Sequence, residues 1–394
     1  MAENRVLLDE NLDPMWKWLH CSGFVSVYCF EQRLPIRIGR YICNILITLL
    51  CVIFALFELR HFVNQVLLSH EKNFGLFFSL LWFSPFPVYY VTQHQFLSHQ
   101  NQIAEFLLDW KKVENRSLSV RNAVKTTTLY PIYALQILMV MITTFCWSYL
   151  MPIEPYLLTS IGFLRETMGI FSLSLITAVV YYFLILIHIS SQLVPSLFFY
   201  HAGRVIESLE RELQHRYSLH LIPHFILEGS TAQMYISRPA SRVWEEYEVV
   251  FDMVSRANRL FGIVIILSDF TLFVYICLLL YGIIKFSQTA LFMSGILTLT
   301  VFPYTFQLVF SNWLTSHLYL SSSQLQSTVS RLLSKKWKFL AEDDRNVLNS
   351  FQNRLGRFDM AAQPLNLYTV TPANLLSMLT LGVSYVIILL QSPV

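Results

Sequence analysis

One carboxylate stands inside an otherwise apolar run: Asp269, in IILSDFTLFVYICLLLY. An acid at that depth is costly in hydrocarbon, so it marks a functional position by default. It can hydrogen-bond a polar ligand or shape a wet pocket; equally, hydroxyls of a neighbouring helix can satisfy it. The same run carries Tyr275, and other apolar runs carry Trp82, Trp147, Tyr149, Ser174, Thr177, Tyr181, Gln288 and Thr298. Aromatic faces with a few hydroxyls and one amide suit a small organic ligand, held by stacking and oriented hydrogen bonds. Ordinary membrane packing and an interfacial aromatic belt use the same residue types. Histidine chemistry fits less well. The one HxxxH, His220 to His224, has Pro223 inside it, and His94 and His99 are five apart, poor spacing for two ligands on a helix. There is no phosphate loop, GxSxG or HExxH. No enzymatic activity, cofactor or metal is expected.

Composition sets the environment. The 394 residues are 55% hydrophobic and only 13% charged, against about 25% charged in soluble proteins. This is the balance of a polytopic membrane protein. The net charge of +3 gives no reason to expect a nucleic-acid partner. Six cysteines show no CxxC spacing and mostly lie in apolar runs, where Cys acts as a small hydrophobe. No disulfide is expected. The opening MAENRVLLDENLDP lacks a basic n-region, so no cleavable signal peptide is expected.

Seven apolar runs can position these residues: 41–57, 74–90, 129–150, 168–200, 260–284, 287–313 and 373–391. Each approaches the roughly 20 residues a helix needs to cross hydrocarbon. Pro85 and Pro87 should kink the second; the fourth is long enough to tilt or to project from the bilayer. Residues 15–30 read as an interfacial or re-entrant helix. Of the 28 Lys and Arg, 24 fall in the N-terminal segment and in the second, fourth and sixth connections, which the positive-inside bias places in the cytoplasm. The expected fold class is thus all-α, with seven transmembrane helices, a cytoplasmic N-terminus and an extracellular C-terminus. The organisation reads as a cytoplasmic segment 1–40, six spans within 41–315 with long cytoplasmic connections 98–125 and 201–259, cytoplasmic helices in 316–365, and the seventh helix in 366–394. On this topology the sequon at Asn115 goes unused. VIESLERELQHR and the Glu342–Asp343–Asp344 cluster have helical character. They read either as spans prolonged into a cytoplasmic bundle or as solvated loop helices.

The closing run has no charge, yet Leu381, Ser384, Ile388, Gln391 and Ser392 share a helical face. Such a narrow stripe suits a wet pore between subunits or a buried last helix bonding a neighbour. Ser384-Tyr385, five apolar residues and Gln391 resemble the C-terminal signature of insect gustatory receptors, Thr-Tyr, five apolar residues, Gln-Phe, and depart from it at Ser392. The resemblance covers about the last 20 residues. It implies a tetrameric, ligand-gated, non-selective cation channel in a plasma membrane, for instance of a chemosensory neuron, with the seventh helix lining the pore and a ligand pocket in each subunit's outer half. By position, Tyr385 packs near the pore, Ile388 is the candidate gate and Gln391 lines the pore. Ser392 cannot supply the constriction of a Phe, so either Ile388 gates alone or the chain is a divergent relative. The implied partners are a small molecule such as a sugar or bitter compound, the bilayer, and three further subunits, identical or related.

A G-protein-coupled receptor fits poorly. The basic bias puts the N-terminus inside, no acid-Arg-Tyr or NPxxY-like motif is present, and Cys146 has no partner in the next outer loop. No G protein is required. A transporter reading lacks an internal repeat and paired broken spans, and with a non-conducting receptor-like relative it forms the alternative to the channel.

Overall fold

The computed structural model describes residues 85–116, 129–153, 170–219, 239–287, 291–336, 340, 342–357 and 360–391, with scattered helical positions between 42 and 63. Trp82, Gln288, Ser392, the 15–30 segment and the His220–His224 pair lie outside the described residues. Described residues form helices α1 (Pro85–Ser98), α2 (Gln100–Arg116), α3 (Leu129–Ile153), α4 (Ile170–Leu219), α5 (Pro239–Phe286), α6 (Leu291–Lys336) and α7 (Glu342–Arg357). A 3-10 turn at Pro364–Asn366 then leads to α8 (Pro372–Gln391). The chain is all-helical, as the apolar runs predict. The expected kink at Pro85 and Pro87 falls at the edge of the described residues; from Pro85 the chain is helical to Ser98.

Three helices are far longer than a bilayer requires. α4, α5 and α6 have 50, 48 and 46 residues; at 1.5 Å per residue each is about 70 Å long, more than twice the roughly 30 Å hydrocarbon thickness. α4 and α5 each join an apolar half to a charged half, and α6 runs from an apolar half through a Ser- and Thr-rich stretch to a basic end. Two of them, Ala240–Phe286 and Leu291–Lys335, are long and apolar enough to cross a membrane. Leu135, Leu138, Met141 and Phe145 of α3, with Phe292, Leu299 and Phe302 of α6, face outward. In water such a surface would associate; against lipid it is the natural exterior.

The centre is α4, whose residues 189–199 are all buried. It packs chiefly on α6, and Gly203 permits the approach: a Cβ there would sit 2.9 Å from His317 Cδ2 and 3.1 Å from the Leu318 backbone. Along α6, Ser311, Thr315 and Ser321 bond back to the carbonyls of Gln307, Ser311 and His317. Small hydroxyls satisfied within their own helix let two helices close up without an orphan polar group.

The charged half is held by aromatic packing and ion pairs. Phe106 and Trp110 of α2 meet the Phe198 ring edge-on, each at 4.8 Å. The α7 face of Leu348, Phe351 and Leu355 is buried, and Glu342, Asp343 and Asp344 fill its first turn, where the helix dipole favours acids. Arg354 of α7 grips Glu248 of α5 with two bonds of 2.8 and 3.0 Å and lies 4.3 Å over the Phe251 ring. With Trp244 also donating, this fork holds the Glu248 carboxyl below its ordinary range, Arg354 being the main cause. Glu207 of α4 accepts from Arg204 and Arg211 and meets His317 of α6 at 3.1 Å. Its carboxyl is likewise held low, chiefly by His317.

Candidate functional site

α5 presents one face to the segment that leads into α8, through Asn258, Gly262 and Asp269, spaced four and then seven residues apart. Asn258 clamps residues 361–363 from both sides, donating to Ala361 O at 3.1 Å and accepting from Gln363 N at 2.8 Å. At Gly262 the backbone of Leu365 comes so close that a Cβ would lie 2.8 Å from its nitrogen. Leu365 and Asn366 both take left-handed φ values, 50° and 58°, a backbone that Asn tolerates and that is unfavourable for Leu. Val370 N returns to Ala362 O at 2.9 Å, closing the segment into a strap. Beyond it Thr371 accepts from Asn374 N at 3.3 Å and Pro372 opens α8, the expected cap and first-turn pair.

Higher on the same face the strap's Tyr368 donates to Asp269 Oδ2 at 3.0 Å. Gln192 of α4 donates to Oδ1 at 2.8 Å, and Asn312 of α6 to the same oxygen at 3.4 Å. Gln307 of α6 donates to Gln192 Oε1 at 2.7 Å, and Gln136 of α3 donates to Gln307. The result is a continuous chain of side chains from α3 through α6 and α4 to α5 and the strap. All but Tyr368 are buried, and in a low-dielectric interior such a network holds its members firmly so long as each is satisfied. Pro195 lies one turn beyond Gln192 and Pro303 one turn before Gln307, both inside their helices. Each removes a main-chain hydrogen bond beside the network.

Beyond Gln307 the network gives way to aromatics. On α6, Tyr304 meets the Tyr275 ring of α5 at 4.6 Å; one turn further Thr300 accepts from Trp147 Nε1 of α3 at 3.0 Å. Of the residues expected to face a ligand, Trp147, Asp269 and Tyr275 are therefore buried around one side of α6. Thr298 is exposed and bonds back to Ser294 O. Tyr149 belongs to α3, and Ser174, Thr177 and Tyr181 to α4, but their side chains lie outside the described residues. Thr300, Tyr304 and Tyr368, together with Gln136, Gln192, Gln307 and Asn312, are not among the residues expected from sequence. A signal was available in the amides, since each glutamine interrupts an apolar run as Asp269 does.

α8 carries the other expected residues. It is uncharged over 20 residues and rests on α5, where a Cβ on Gly382 would be 3.2 Å from the Phe273 ring. Gly382 and Val386 are buried, while Leu381, Ser384, Tyr385, Ile388 and Gln391 are exposed. Ser384 bonds back to Thr380 O at 3.0 Å. α8 thus packs on α5 through Gly382, and the signature residues lie on its exposed side.

No family model and no curated protein matches the sequence. Solved structures do match. The insect olfactory receptor OR5 from Machilis hrabei superposes with a TM-score of 0.67 at 13% identity, over 98% of each chain. The same receptor in complex with eugenol gives 0.66 at 14% identity, again over 98% of both. This chain has the fold of an insect olfactory receptor. The olfactory-receptor fold extends over the long helices, the strap and α8 together, so the similarity is one of complete architecture.

Proposed function

We propose that this protein is a subunit of a ligand-gated, non-selective cation channel, a chemosensory and specifically gustatory receptor in a plasma membrane. Four subunits, identical or related, line a pore with α8. The observation that carries the reading is α8 itself, an uncharged helix whose signature residues are exposed in the single chain. The olfactory-receptor fold, known with eugenol bound to one member, supports a small organic ligand, as does the resemblance of Ser384–Gln391 to the gustatory signature.

The geometry suggests how binding would reach the pore. A ligand among Trp147, Thr300, Tyr275 and Tyr304 touches α3, α5 and α6 at once. A change in the spacing of α5 and α6 acts on Asp269, through it on Tyr368 and the strap, and through Phe273 on α8 at Gly382. Ile388 side chains from four copies then part, the constriction wets, and cations pass Gln391. The ligand does this only so far as it binds the open arrangement more tightly.

Two measurements test the proposal. Single-particle imaging of the purified chain should show four copies meeting along 381–391. Ile388→Ala should raise basal cation current at equal surface expression. A monomer overturns the channel reading, and a variant that loses expression without a change in current per channel removes Ile388 from the gate.

A further inference from the structure

Between α2 and α5 lies a cleft of about 460 Å³ lined by Asp109, Lys112, Asp252, Arg256 and Arg259, with Met253 among its apolar contacts. Arg256 and Arg259 immediately precede Leu260, where the apolar run of α5 begins, so the cleft opens at the level of a membrane surface. Asp109 fixes two of the cations: one oxygen takes Lys112 Nζ and the other Arg256 Nη1, each at 2.8 Å. These contacts hold the Asp109 carboxyl below its usual range, Lys112 contributing most. Arg259 makes no ion pair among the described residues and is exposed. Three cations thus face two carboxylates, one of which is already engaged twice.

We propose that this cleft binds the phosphate monoester of an anionic lipid headgroup. Arg259 supplies a planar two-pronged donor, Lys112 a point charge, and Arg256, oriented by Asp109, a third set of N–H groups. This is the donor set that phosphate oxygens favour. The diester of an ordinary zwitterionic lipid carries its own ammonium and gains less from a cleft of net positive charge. The acyl chains would lie along Ile263, Ile266 and Phe270, which follow Arg259 on one face of α5 and are partly or fully exposed, and this selects a lipid over a free phosphate. The proposal rests on α5 entering the bilayer at residue 260 and is independent of channel activity.

The test uses the full chain in detergent, titrated with short-chain phosphatidylinositol 4-phosphate and read by native mass spectrometry. Arg259→Gln should weaken binding roughly tenfold, the loss of one charge-assisted contact, and Lys112→Gln somewhat less. Asp252→Asn, which removes a facing negative charge, should tighten it. All three positions are exposed, so the variants are expected to fold, and their melting curves check this. Unchanged affinity in folded Arg259→Gln overturns the proposal. So does equal binding of inositol 1,4-bisphosphate, which would assign the cleft to a soluble phosphate. Failure of the membrane reading shows separately, as loss of the chain from the vesicle fraction on flotation.

Discussion

At the scale of single residues, the Tyr368 hydroxyl is the one member of the buried chain that belongs to the strap. Replacing it with Phe keeps the ring and deletes one bond to a carboxylate, a loss of about 1.5–3 kcal/mol. The expected result is a lower melting temperature together with a shifted ligand concentration-response. A shift in melting alone would make Tyr368 purely structural. Glu248 offers a test of the charged half by pH. Its folded-state pKa is depressed by Arg354, so its stabilisation is present above the unfolded value of about 4.5 and is lost as pH falls through the lower folded value. The melting difference between wild type and Glu248→Gln should therefore be full at neutral pH and close below about 4.5. A difference that persisted into acid would mean that Gln fails for reasons of shape rather than charge.

At the scale of elements, the contact between α4 and α6 is the most extensive among the described helices and narrows at Gly203. Gly203→Leu would drive a branched side chain into His317 and the Leu318 backbone. Overpacking of this kind costs about 1–3 kcal/mol, and here it also threatens the His317–Glu207 pair. The expected outcome is poor yield of folded protein in size-exclusion chromatography, with Gly203→Ala intermediate. The elements also show how much could be read beforehand. The apolar runs at 129–150, 168–200, 287–313 and 373–391 announce α3, α4, α6 and α8, because long uncharged stretches admit few other structures. The continuation of α4 through VIESLERELQHR does not follow from sequence, since an exposed helix and one flank of a bundle show the same alternation of charge. Which side of that helix is covered depends on α6, more than a hundred residues away. The strap was unreadable for a related reason: its left-handed Leu365 lies against α5 at Gly262, a contact between distant parts of the chain. Nothing in the Leu365 side chain itself demands that backbone.

At the scale of the whole molecule, protection against hydrogen exchange should follow the architecture. Amides of α4 between 190 and 213 are expected to exchange slowest. On the proposed tetramer, those of α8 between 376 and 388 should exchange faster in the single chain than in the assembly. Equal protection of α8 in both states would mean that assembly buries some other surface. The candidate site was legible only in part at this scale. Asp269 and the α8 stripe were visible as types and spacings, but the partners of Asp269 come from three other parts of the chain, and only the fold shows them side by side. That arrangement has an orientation. Gln136 donates to Gln307, Gln307 to Gln192, and Gln192 to Asp269, so three amide dipoles from three helices point head to tail at one carboxylate. An amide can be turned end for end, and a row of amides alone would have two equivalent settings. Asp269 accepts from Gln192, Asn312 and Tyr368 and donates to none of them, which breaks that equivalence and gives the row a single sense. An amide in its place, as in Asp269→Asn, keeps the size and restores the ambiguity. The bundle would then hold two registers of the same bonds where it now holds one.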